Sequence, residues 1–106
     1  MKINILGTEY DYEISTETED IGLLRGNGYC DAFKKRIIVE GEFNENDPNS
    51  VQDIEAFKKK VKRHEIVHAY LFESGLTEYA ENEQLVEWVA WQFPKLLETL
   101  KEVGAI

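Results

Sequence analysis

The stretch His64-Glu65-Ile66-Val67-His68 decides how this chain folds and what it is built to do. It holds the only two histidines of the 106 residues, and it sits inside a helical rhythm. Ile54, Phe57, Val61, His64, His68 and Leu71 recur at intervals of three and four, so both histidines fall on the apolar stripe of one helix. Positions i and i+4 lie about 40° apart around a helix axis and one turn apart along it. Two imidazoles so placed can converge on one ion at roughly 2.0–2.1 Å, with Glu65 beside them. Bound zinc lowers the pKa of a water towards about 7, and an adjacent carboxylate can take its proton. HExxH on a helix therefore points to a zinc-dependent hydrolase, peptide bonds being the first substrate to consider. A pair of ordinary core histidines is the competing reading. It leaves two rings facing each other on a buried stripe, where protonating either is costly without an anion or a metal.

Two histidines do not complete a catalytic zinc site, which takes three protein ligands. Leu71 and Ser74 stand where the metzincin pattern has a glycine and a third histidine, so that class is excluded. A carboxylate, or the lone Cys30, must complete the set. Glu73 lies about 140° around the helix from His68 and points away. Glu78 and Glu81 fall in the connector beyond Gly75 and stay open. Asn82 to Ala90 reads as a second helix with Val86, Val89, Ala90 and Phe93 on its core stripe. Glu83 and Glu87 border that stripe, three residues ahead of Val86 and Ala90, where charged groups are usually paired or metal-bound. Cys30 is expected to be an ordinary buried thiol.

His64-Glu65 with His68, followed by Glu83 and Glu87 on the next helix, resembles the gluzincin arrangement of zinc peptidases. More narrowly, HEIVHAYLFESGL (64–76) and NEQLVEWVAWQFPKL (82–96) are similar to small metallopeptidase-like proteins of phages and prophages of Gram-positive bacteria. The first half of the chain matches only loosely, through Gly28-Tyr29-Cys30-Asp31 and the strand after it. The resemblance implies a minimal zincin-like domain in which Glu83 binds zinc and Glu87 orients a histidine through its other ring nitrogen. Glu65 is then the general base. Lys62 departs from the usually uncharged position before the motif, and Glu87 stands where thermolysin-like proteins carry Asp. With no third histidine to stabilise the transition state, Tyr79 is the candidate for that task. The alternative is a non-catalytic, zinc-stabilised binding module of a phage or prophage.

Upstream, Lys2–Leu6 and Tyr10–Ile14 alternate around Gly7-Thr8 and read as a hairpin. Gly26-Asn27-Gly28 is a turn, followed by strands at Tyr29–Phe33 and Arg36–Phe43. Asn44 to Asn49 breaks the chain before the long helix, which Ser50 and Asp53 are expected to cap and Gly75 to end. The predicted architecture is one α+β domain over residues 1–106: a small antiparallel sheet, the HExxH helix and a C-terminal helical segment. Pro94 predicts a kink or a fresh helix near Gln92–Phe93. The last segment is expected to dock on the sheet, with Trp88 and Trp91 in or beside the core.

At this length one domain is expected, without a second lobe to grip a substrate. A peptide or protein substrate would lie along a sheet edge, at either strand between Tyr29 and Glu40, or a protein partner would complete the cleft. The net charge of −9, from 21 acids against 12 bases, opposes nucleic-acid binding. Lys58 to Lys60, with Lys62 and Arg63, are expected on the solvated side of the HExxH helix. No apolar run is long enough to span a membrane, and no signal-peptide core is visible. One cysteine precludes an internal disulfide. The expected location is the cytoplasm, that of a bacterial host if the chain is phage-encoded.

Overall fold

A computed structural model describes residues 1–41 and 53–106. Strands β1 (Lys2–Ile5) and β2 (Thr8–Ser15) form the expected hairpin. Its loop residues, Leu6 (φ 52°) and Gly7 (φ 91°), both have positive φ, the geometry whose twist suits a two-residue hairpin. Asn4 Oδ1 accepts from the Gly7 N–H at 2.9 Å and steadies the turn. A 3-10 segment, Ile21–Arg25, follows, its first turn capped by Asp20 accepting from Gly22 N–H at 2.9 Å. Then come β3 (Gly28–Asp31) and β4 (Arg36–Glu40). The Asp31 carboxylate ends β3 by accepting from the amides of Phe33 and Lys34.

The sheet order is β1-β2-β4-β3, and β2 pairs with β4 in parallel, from Asp11 opposite Arg36 to Ser15 opposite Glu40. The sheet is therefore mixed, which corrects the antiparallel expectation. The chain leaves β2, crosses by way of the 3-10 segment to the far edge and lays β3 there. It then turns back to insert β4 between β3 and β2. Ile37, Ile38 and Val39 are all buried, a continuous apolar run that fits a strand covered on both faces. Ile37 and Val39 join Ile5, Tyr10, Val61 and Ala69 in the core under the long helix. Ile38 alternates to the opposite face, which the 3-10 segment covers with its buried Leu23. Being central, β4 cannot offer a free edge, so of the two candidate strands Arg36–Glu40 is excluded and β3 alone supplies one on this side.

Helix α1 (Ile54–Glu73) starts at Asp53, whose side chain accepts from Ala56 N–H at 3.0 Å. Ser50, the other expected cap residue, lies outside the described residues, as do the break at 44–49 and the end of the predicted strand at Phe43. The helix closes as a Schellman motif: Gly75 (φ 78°) donates to Phe72 O and Leu76 donates to Leu71 O, each at 3.0 Å. The single turn α2 (Thr77–Ala80) leads to Asn82, which caps α3 (Glu83–Glu102) by accepting from Leu85 N–H at 3.1 Å.

α3 is continuous across Pro94 and does not restart there. A proline cannot donate to the carbonyl four residues back, here that of Ala90. Arg63 Nε of α1 donates to that carbonyl at 2.6 Å, so the group freed by Pro94 is satisfied from outside the helix. α3 packs on α1 and α2 rather than on the sheet, and Trp88 and Trp91 are exposed (60% and 47%), against expectation. Among the described residues no helix is long and apolar enough to cross a membrane.

Candidate metal centre

Residues 60, 64 and 68 are spaced by four, so α1 presents Lys60, His64 and His68 along one face. The first turns of α3 bring Glu83 and Glu87 up to it. His68 Nδ1 lies 2.6 Å from the carbonyl oxygen of Ala80. A carbonyl only accepts, so Nδ1 carries the hydrogen and Nε2 faces the other way. His64 Nδ1 lies 3.2 Å from Glu87 Oε1, which leaves its Nε2 pointing to the same place. The two Nε2 atoms are 3.2 Å apart. Glu83 straddles them, with Oε2 at 3.0 Å from His64 Nε2 and Oε1 at 2.9 Å from His68 Nε2.

Three electron-rich groups thus meet with their acceptors facing one another, an arrangement that favours a cation between them. Ligands at about 2.05 Å in tetrahedral geometry lie about 3.3 Å apart, close to the spacing seen here. One donor atom from each of His64, His68 and Glu83 fits within 4.8 Å of the others, so these residues can hold a metal ion. Two imidazoles and a carboxylate are a donor set that metal sites use. Burial lowers the His68 pKa, outweighing the Glu83 charge that raises it.

Glu65 projects from the adjoining position of α1 into the wall of the same cleft. It is 5% exposed and makes no hydrogen bond among the described residues. Burial pushes its carboxyl up to about 7; the Glu83 charge adds to the shift, and His64 and Lys60 oppose it. Gly28 of β3 makes room for this group. A Cβ there would lie 3.1 Å from Glu65 Cγ, 3.2 Å from Oε2 and 3.0 Å from the Ile38 carbonyl oxygen.

The open cleft of about 540 Å³ runs between α1 and the edge strand β3. Glu40 N–H donates to Asn27 O at 2.8 Å, which makes residues 27 and 40 a hydrogen-bonded pair. By antiparallel alternation Tyr29 and Asp31 also turn inward to β4, and Gly28 and Cys30 direct their main-chain groups to the free edge. Arg25 stands at the rim, exposed and without an ion pair among the described residues.

The other candidates are not among the convergent donors. Tyr79 is 56% exposed and does not line the cleft. Glu73 faces the hairpin, accepting from Tyr10 Oη at 2.7 Å, Thr8 Oγ1 at 3.0 Å and Lys35 Nζ at 2.6 Å. Cys30 lines the cleft but is not one of the convergent donors, and burial drives its thiol up to about 12. Glu78 and Glu81 are exposed and outside the donor set as well.

Three site features were missed in the sequence reading. Lys60 is buried at 7% exposure rather than solvated, and Arg63 also turns inward; the spacing of four from His64 was the available signal for Lys60. Gly28 was read as a turn residue and as part of the loosely matching stretch 28–31, not as a neighbour of Glu65. The Ala80 carbonyl had no sequence signal, since any residue supplies one. No known family model matches the chain, and neither a curated protein nor a solved structure matches it.

Proposed function

We propose that this protein is a zinc-dependent metallopeptidase of gluzincin type, with His64, His68 and Glu83 as the metal ligands. The observation that carries the reading is the convergence of both Nε2 atoms on the Glu83 carboxylate, 3.2 Å from each other, beside a buried Glu65 that has no hydrogen bond among the described residues. Zinc at this place supplies a Lewis acid that polarises a carbonyl and acidifies a water.

The chain's own groups do the rest. Ala80 O and Glu87 hold the two Nδ1 hydrogens, so each ring offers Nε2 in a fixed direction. Glu65 accepts a proton from the attacking water and hands it to the departing amine nitrogen, so peptide and water become acid and amine. Glu65, buried in the wall of the cleft next to the ligands, is within reach of both halves of that transfer. The free edge at Gly28 and Cys30 is placed to pair with an extended peptide and lay its carbonyl across the cleft.

The second reading, a zinc-stabilised binding module, draws on the exposed Phe93, Leu96, Val103 and Ile106 at the far end of the chain. Peptide-library hydrolysis by the zinc-loaded chain and by Glu65→Gln separates the two. Cleavage by the native chain that is lost in Glu65→Gln, at equal zinc content, supports the peptidase. A native chain that holds zinc and cleaves no peptide supports the binding module.

A further inference from the structure

Lys60 is a charged side chain buried within the wall of the cleft. Its Nζ lies 3.1 Å from Glu87 Oε1 and 3.2 Å from Oε2, so it grips both carboxylate oxygens. The ammonium also sits over two aromatic faces, 4.7 Å from the Phe57 ring centroid and 5.4 Å from that of Trp91. The same Glu87 Oε1 also meets His64 Nδ1 at 3.2 Å. Lys60, Glu87 and His64 thus form a chain from a fixed cation, through an acid on α3, to an imidazole on α1.

We propose that Lys60 is a positioning residue of the metal centre: by clamping Glu87 it fixes the carboxylate against His64 Nδ1 and aims His64 Nε2 at the ion. The inference rests on the metal reading above. Glu87 has several side-chain torsions and stands partly in solvent, with its side chain 41% exposed, so His64 alone does not confine it. The clamp also ties α1 to α3 one turn from Glu83, the carboxylate that faces both imidazoles. The Phe57 and Trp91 rings flank the ammonium itself, which leaves it little freedom to swing away.

A purely electrostatic role has the opposite sign. A cation in the wall of a divalent-metal site repels the ion, so removing the charge alone would tighten metal binding. Positioning predicts weaker binding, and an effect that needs Glu87.

The test is a double-mutant cycle on the full chain, reading the Zn²⁺ dissociation constant by competition with a chelator. Lys60→Met keeps the apolar stem, and Lys60→Arg keeps the charge as well. Lys60→Met is expected to weaken zinc binding about 10- to 100-fold, and Lys60→Arg to recover part of the loss. Lys60→Met with Glu87→Gln is expected to bind no more weakly than Glu87→Gln alone. The Co²⁺ absorption bands of Lys60→Met should change with them, which a loss of packing away from the ligands would leave unmoved. Should Lys60→Met not fold, Lys60→Gln takes its place in the cycle. Binding as tight as the native chain's or tighter, or losses that multiply in the double variant, would overturn the assignment. If the native chain itself takes up no zinc, the ligand set fails; if it does and Lys60 is without effect, this inference alone fails.

Discussion

Glu65 owes its chemistry to its surroundings. A carboxylate that is 5% exposed with no hydrogen bond among the described residues is costly unless a cation lies near or a proton is held. On the proposed function, Glu65→Gln keeps its zinc and loses about 10²- to 10⁴-fold in turnover, the usual worth of a general base. Elemental analysis beside a peptide-cleavage assay checks both halves. Gly28→Ala tests the same group from the sheet, because the new methyl meets Glu65 Cγ and Oε2 at 3.1 and 3.2 Å. Zinc content should hold while turnover falls; unchanged turnover would show that the Glu65 position is not critical. The sequence motif named Glu65 and the histidines because helix spacing alone puts them together. Gly28 comes near them only through the sheet, so its role had no local signature.

At the scale of elements, two cross-helix and helix–sheet ties can be tested separately. Arg63→Ala removes the donor that satisfies the Ala90 carbonyl opposite Pro94, and the expected loss is about 1–3 kcal/mol in urea unfolding. A parent-like midpoint would mean that water replaces the arginine at no cost. Glu73 joins the end of α1 to β2 through Tyr10 and Thr8 and to the β3–β4 turn through Lys35. Its hydrogen bonds from Lys35 and Tyr10 hold its carboxyl down at about 2 against an ordinary value of 4.5. A lowered folded-state pKa stabilises above the ordinary value, so this contribution is complete above pH 4.5 and fades as pH falls towards 2. Glu73→Gln should be less stable at neutral pH, and its stability should fall less steeply across that window. Parallel acid-unfolding curves for the two proteins would contradict this.

The same scale shows where sequence reasoning stops. The hairpin and α1 were legible because a two-residue turn, a period of 3.6, a cap and a closing glycine are all local. The parallel pairing of β2 with β4 depends on where a long crossover lands. Only the unbroken run Ile37-Ile38-Val39 hinted at a strand buried on both faces. Pro94 misled for a related reason: its cost is met by Arg63, thirty-one positions upstream, and no local rule sees that partner.

For the whole molecule, the facing histidines and Glu83 bridge α1 and α3, the two longest elements. An ion held there would link the sheet-bearing helix to the C-terminal one and act as folding free energy. At a free zinc concentration 100 times the dissociation constant the gain is about 2.7 kcal/mol. A thermal transition that rises with added zinc and returns on chelation is therefore expected. A transition indifferent to both would argue for core histidines. The most direct measurement is the metal content of the untagged chain beside Glu83→Ala and Glu87→Ala, by elemental analysis. The account predicts about one zinc per native chain, lost in Glu83→Ala and weakened but retained in Glu87→Ala. No zinc in the native chain even after supplementation would contradict it.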